Sequence, residues 1–198
     1  METISSKIRG KVVLDISMSL DGYVAGPDID FDNPMGKGGE RLHEWIFSGK
    51  TDAAQKMLDD LVQNSGAVIL GSHTYKLEVK AWGGVSPFVV PALVLAKNKP
   101  ETIMHGFTFI ADGIEKAISE ARQIAGEKNI WIMGGANTAQ QFIRARLIDE
   151  VYIHLIPVVL SEGARLFENL ARDKIELEKT EVIQTAGAIH IKGRLKYE

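Results

Sequence analysis

The chain has 198 residues, 45% apolar and 25% charged, with a formal net charge of −3 and no cysteine. That length fits one domain with a sizeable core. Without cysteine there are no thiol nucleophiles, disulfides or zinc–thiolate centres, and the slight acidity gives no ground for a nucleic-acid or anionic-membrane partner.

The opening METISSKIRG holds no apolar run of the signal-peptide kind, and no stretch approaches the roughly 20 apolar residues of a membrane helix. We therefore expect a cytoplasmic protein, a single domain over residues 1–198 with 1–10 as an N-terminal tail. A first strand is expected at Val12–Met18, and a turn at Ser19-Leu20-Asp21-Gly22. The stretch Gly26–Gly39, rich in Asp, Pro and Gly, reads as a long irregular loop, of a length usually functional or mobile in compact domains. Ala54, Met57, Leu58, Leu61 and Val62 form a helical stripe. Strands follow at Ala67–Leu70, Ala92–Ala96 and Phe107–Ile110. A second helix carries Ile114, Ala117, Ile118, Ala121, Ile124 and Ala125, opened by Asp112 and Glu115 at capping-box spacing. The strand Ile130–Met133 enters a helix with Ala139, Phe142, Ile143 and Leu147, and a long strand follows at Val151–Leu160. Ile175–Gln184 and Ala188–Lys196 read as an antiparallel hairpin around Thr185-Ala186-Gly187, with His190, Lys192, Arg194 and Lys196 on a wet face. Short apolar strands alternating with helices predict an α/β fold, its central sheet mainly parallel and flanked by helices, with this hairpin at one edge.

The chemistry-bearing residues gather where strands end. Gly134 and Gly135 stand between a strand and a helix whose first amides, on Gly135, Ala136 and Asn137, would face an anion. The alternative is a tight turn with nothing bound, because the run lacks the G-x-G-x-x-G pattern and a P-loop lysine. Val68–Lys76 repeats the design: a buried strand, Gly71, then Ser72, His73 and Thr74. A third strand ends in Lys97, Asn98 and Lys99. Three such ends side by side would line one crevice, the usual ligand position of an open α/β sheet.

The segments VVLDISMSLDGYVAGPD, VILGSHTY, IWIMGGANTAQQFI and LIDEVYIHLIPVVLSEGARLFE, in this order across residues 12–168, resemble the dihydrofolate-reductase-like superfamily. Within it they are most similar to the branch holding the reductase domain of bacterial riboflavin biosynthesis, and FDNPMGKGGERLHEW resembles that branch's stand-alone members. The resemblance implies a three-layer fold and NADPH bound across the strand ends. Gly71, Ser72, His73 and Thr74 would meet phosphates, Lys97 and Asn98 the adenosine ribose, and Gly134, Gly135, Ala136, Asn137 and Thr138 the pyrophosphate and nicotinamide. Ser72 replaces the arginine that in the family grips the 2′-phosphate, so the preference for NADPH over NADH falls to Lys97, a point charge instead of a planar fork. Asp28, Asp30 and Asp32 occupy the loop where a riboflavin-type enzyme would grip its substrate's phosphate, so that substrate is not assigned.

This implies an NADPH-dependent reductase acting on a small, planar C=N or C=O compound; the alternative is a non-catalytic nucleotide-binding protein. The candidate proton donors are Asp21, His43 and Glu44, with Asp21 alternatively a turn residue. Trp45 is a candidate stacking surface for substrate, alternatively helix core. His154 reads as structural, His190 has no partner by spacing, and no cluster has metal-ligand spacing. A strand apolar on both faces at Val151–Leu160 and exposed sheet edges predict a homodimer, as the resemblance also implies.

Overall fold

The computed structural model describes residues 9–79, 82–100, 103–170 and 174–198. Its strands are β1 (Val12–Ser19), β2 (Tyr23–Ala25), β3 (Ser65–Gly71), β4 (Ala92–Leu95), β5 (Phe107–Ile110), β6 (Asn129–Gly134), β7 (Glu150–Ile156), β8 (Ala164–Arg165), β9 (Ile175–Gln184) and β10 (Ile189–Tyr197). Its helices are α1 (Glu44–Phe47), preceded by a 3-10 turn at Gly39–His43, then α2 (Asp52–Asn64), α3 (Ser72–Glu78), α4 (Gly113–Ala125) and α5 (Ala136–Arg144).

Among the described residues, eight strands form one sheet in the order β5-β4-β3-β6-β1-β7-β10-β9. The pairs from β5 to β7 are parallel, and β10 is antiparallel to both β7 and β9. This is the α/β sheet with a C-terminal hairpin read from the sequence.

Alternation along the strands divides the core. Val12, Leu14 and Ile16 of β1 join Ala67 and Ile69 of β3 on one face, under Ala117, Ile118 and Ala121 of α4 and Phe142 and Ile143 of α5. On the other face, Leu70 and Val94 pack with Tyr75 of α3. Leu42 and Trp45 pack there with Ala54 and Met57 of α2. Helices thus cover both faces, giving three layers.

Three local expectations need correction. β7 stops at Ile156 instead of Leu160, where Pro157 supplies no amide and the chain turns so that Leu20 N–H donates to the Val158 carbonyl. It is also an interior strand between β1 and β10, so the edges are β5 and β9. The Asp112 cap does not form: the chain enters α4 through Gly113 at φ 88°, and Asp112 is not in the extended conformation a capping side chain uses. On β10 the polar face is wet at Arg194 and Lys196, but His190 is 1% exposed because Trp45 lies over it.

Candidate functional site

A cavity of about 1240 Å³ opens at the carboxyl ends of β4, β3 and β6 and runs along β1. At one end stand Ser72, His73 and Thr74 after β3, Lys97 and Asn98 after β4, and Gly135, Ala136, Asn137 and Thr138 after β6. These strands are adjacent and parallel, so their carboxyl ends meet in space. Gly71 lines the same wall, whereas Gly134 is buried behind it.

The glycines have distinct reasons. Gly134 holds φ 110°, a region L side chains rarely enter, and the peptide joining it to Gly135 is cis. Gly135 donates its N–H to Thr74 Oγ1 at 3.2 Å, which ties the β6 turn to the start of α3. That contact leaves the Thr74 hydroxyl proton free to donate elsewhere. A Cβ on Gly71 would stand 2.5 Å from Thr138 Oγ1, so Gly71 is set by the close approach of α5.

Toward β1 the cavity becomes less polar. Trp131, Met133 and Ile16 line it, with Asp15 and His43 as ionisable groups. His43 sits at the end of the 3-10 turn with a buried Nδ1 that has no hydrogen-bond partner. Burial pushes its pKa below the ordinary histidine value, the Gly39 carbonyl opposes this, and the His154 ring adds to it. Trp45 is 2% exposed, donates its indole N–H to Ser17 Oγ at 2.9 Å, and still contributes to the cavity wall.

Below Trp45 lies a polar row that crosses three strands. Ser17 pairs with His154, and His154 with His190, in the ladders of β1, β7 and β10. Asp15 Oδ2 lies 3.0 Å from His154 Nε2, and His154 Nδ1 lies 2.7 Å from His190 Nδ1. His190 Nε2 in turn lies 3.0 Å from Thr185 Oγ1, in the turn between β9 and β10. The Trp45 ring stands 4.2 Å from the His154 ring and 4.9 Å from that of His190.

Residues 10–191 match the RibD C-terminal domain family. The chain belongs to that family. Among curated relatives of this RibD C-terminal domain is the uncharacterised Bacillus subtilis (strain 168) protein YwjB, 33% identical over 91% of this chain and 96% of its own. A putative riboflavin biosynthesis protein from Shewanella sp. PV-4 shares the fold, with TM-score 0.68, 22% identity and 94% and 99% of the two chains covered. So does a dihydrofolate reductase from Enterococcus faecalis, complexed with NADP(H), with TM-score 0.63, 14% identity and 96% and 98% covered.

Not every sequence candidate of this RibD C-terminal domain reaches the cavity. Asp21 is engaged elsewhere: its carboxylate accepts from Ser19 Oγ at 2.6 Å, Leu160 N–H at 3.1 Å and Ser161 N–H at 2.7 Å. These bonds, the Ser19 hydroxyl first and against some desolvation, hold its pKa down to about 2. A carboxylate so satisfied and away from the cavity fits the turn role, not that of a proton donor. Glu44 is exposed at the start of α1 and does not line the cavity, because the helix turns it outward while Trp45 turns inward. Of the three candidate donors only His43 faces the cavity. Sequence reasoning missed Asp15, and it left His154 and His190 without partners. Their connection depends on strand register, which no local pattern announces. Among the described residues no group of three or more His, Asp or Glu could hold a metal, and no helix is long and apolar enough to cross a membrane.

Proposed function

We propose that the protein is an NADPH-dependent reductase that passes a hydride to a small planar molecule carrying a C=N or C=O group. The observation that carries this is the meeting of three strand-end turns on a single cavity that becomes apolar toward β1. Ser72, Thr74 and the amides opening α5 offer donors to a pyrophosphate, with the helix dipole in support. Lys97 offers a cation to a further phosphate, and His73 and Asn98 complete that end. The missing side chain of Gly135 leaves room there for the phosphate chain of a nucleotide. NADPH, when bound, supplies the hydride; the protein positions the partners and excludes water. Trp131 and Trp45 offer flat apolar surface to the acceptor, with Met133 beside them.

A cytoplasmic setting belongs to the same reading, supported by the cysteine-free composition. So does a homodimer: β9 is an outermost strand, and Val182 and Ile189 near that edge are 62% and 40% exposed.

Calorimetry with NADPH tests the proposal first. One saturable site per chain is expected, followed by NADPH oxidation with 7,8-dihydrofolate (C=N) or menadione (C=O). Absence of saturable binding at about millimolar NADPH would overturn it, since the affinity would then be worth less than about 4 kcal/mol. Binding without oxidation of either probe would favour the non-catalytic nucleotide-binding alternative.

A further inference from the structure

We infer that Asp15, His154 and His190 form a proton relay leading from the Thr185 turn to the cavity, with Asp15 as the acid that protonates the bound acceptor. The inference rests on the reductase reading and adds a proton donor to it.

The geometry supplies each link. Asp15 lines the cavity while its side chain is only 13% exposed. Behind it, His154 is 2% and His190 1% exposed, so water does not substitute for either ring. The contacts of 3.0, 2.7 and 3.0 Å are all within hydrogen-bond range. At the far end Thr185 is half-buried beside the exposed Ala186, within reach of solvent. The Nδ1–Nδ1 contact is decisive, because one nitrogen must donate and the other accept.

With Asp15 ionised and both rings neutral, one arrangement satisfies every link. His154 donates its Nε2–H to Asp15, His190 donates its Nδ1–H to His154 Nδ1, and the Thr185 hydroxyl, which also lies 3.3 Å from the Ala188 carbonyl, turns to donate to the nearer His190 Nε2. A proton arriving at His190 Nε2 then allows the Nδ1 proton to pass to His154 Nδ1, and the Nε2 proton of His154 to pass to Asp15. One proton enters, one is delivered, and both rings end neutral with their tautomers exchanged. An acceptor that has gained a hydride at carbon carries an electron pair on its oxygen or nitrogen. That atom takes the Asp15 proton, the carboxyl O–H bond breaks, and Asp15 returns to the carboxylate. For the next delivery each ring must give up its proton to water and take another on the opposite nitrogen, an exchange that requires the row to open at the Thr185 turn.

Neutral rings are what the surroundings favour at the far end. Burial first, then the neighbouring His154, pushes His190 down to about 4; Lys192 adds to this and Asp15 opposes it. The titratable or charged groups facing the pair are Asp15 on β1, His43 from the 3-10 turn and Lys192 on β10. From α1 the pair meets only the indole of Trp45.

The test is NMR of the Asp15 carboxyl carbon and the imidazole nitrogens, from neutral pH down to about 4. In the parent, protonation of His190 should move the Asp15 carbon with the same midpoint. His190→Asn keeps a polar partner near His154 Nδ1 but has no second nitrogen to pass a proton on, so it should slow reduction of the accepted probe about tenfold or more while NADPH affinity holds. Asp15→Asn, nearly isosteric at a cavity wall, should lower the His190 midpoint by removing the anion that raises it. A silent Asp15 carbon in the parent, parent-like reduction by His190→Asn, or an unmoved midpoint in Asp15→Asn each overturns the relay. With whichever of 7,8-dihydrofolate and menadione the parent reduces, Asp15→Asn should slow reduction about 100-fold or more while NADPH affinity holds. An unchanged rate overturns the acid role. Failure of the parent to bind NADPH or to reduce either probe counts against the reductase reading, and leaves the NMR result to decide the relay.

Discussion

Replacing Gly71 by alanine puts a methyl group where Thr138 already stands. The backbone is no obstacle, since Gly71 has φ −81° and ψ 153°, open to any L residue. The obstacle is the 2.5 Å separation between the new Cβ and Thr138 Oγ1. Overpacking of this kind costs about 1–3 kcal/mol, and the lost freedom of the unfolded chain returns about 0.4–1 kcal/mol. Gly71→Ala should therefore destabilise by up to about 2.6 kcal/mol. Thr138→Ala alone removes a buried methyl and hydroxyl, for about 1 kcal/mol. In the double variant the clashing oxygen is gone, and the Thr138 Cβ at 3.7 Å is an ordinary contact. Stability should then return to within about 1 kcal/mol of the parent, a coupling of about 1–3 kcal/mol between the two sites. Urea unfolding followed by circular dichroism and tryptophan fluorescence measures all four proteins. Additive losses would refute the reasoning and make Gly71 a residue of nucleotide access alone.

Gly135→Val should leave a folded protein that has lost measurable NADPH affinity, because its methyls enter the crevice beside Thr74; parent-like binding by calorimetry would reduce Gly135 to a turn residue. Lys97→Ala should weaken NADPH about tenfold and NADH hardly at all, if the lysine meets a 2′-phosphate; equal losses would remove it from cofactor discrimination. His190 has its pKa lowered to about 4 from an ordinary 6.5, so the unfolded chain takes up that proton more readily. Its contribution to stability is full above 6.5 and shrinks as pH falls toward 4; Tm should fall across that window, and less steeply in His190→Gln. The Asp21 contribution is present above 3.8 and lost as pH falls toward 2, so it governs a separate, more acidic limb. Light scattering at micromolar concentration should give twice the 21.8 kDa chain mass; a value near the single mass rejects the homodimer.

Much of the fold was legible because its signals are local. Phe107–Ile110 and Ile175–Gln184 have the limits that alternation and flanking turn residues predict, and the two glycine turns lie on one crevice as their shared design implies. What was hidden depends on contacts between distant residues. Gly113 in a left-handed conformation overrules the Asp112–Glu115 cap spacing. The short strands β2 and β8 stabilise each other across the chain and have no pattern of their own. Asp21 and Glu44 looked chemical by residue type, yet a turn engages one and helix rotation exposes the other. His154 and His190 are 36 positions apart, and only the β7–β10 register sets them face to face.

The order of the chain separates the two halves of the cavity in time. The turns at Gly71–Thr74, Lys97–Asn98 and Gly135–Thr138 all precede β7, and their strands pair with β1 and with each other. Thr185 and His190 belong to the last hairpin, which docks on β7. During synthesis the wall made by these turns can therefore assemble on the ribosome while the β9–β10 hairpin is still inside the exit tunnel. Until that hairpin emerges, Trp45 and His154 have nothing on their β10 side, and Asp15 has no connection to the Thr185 surface.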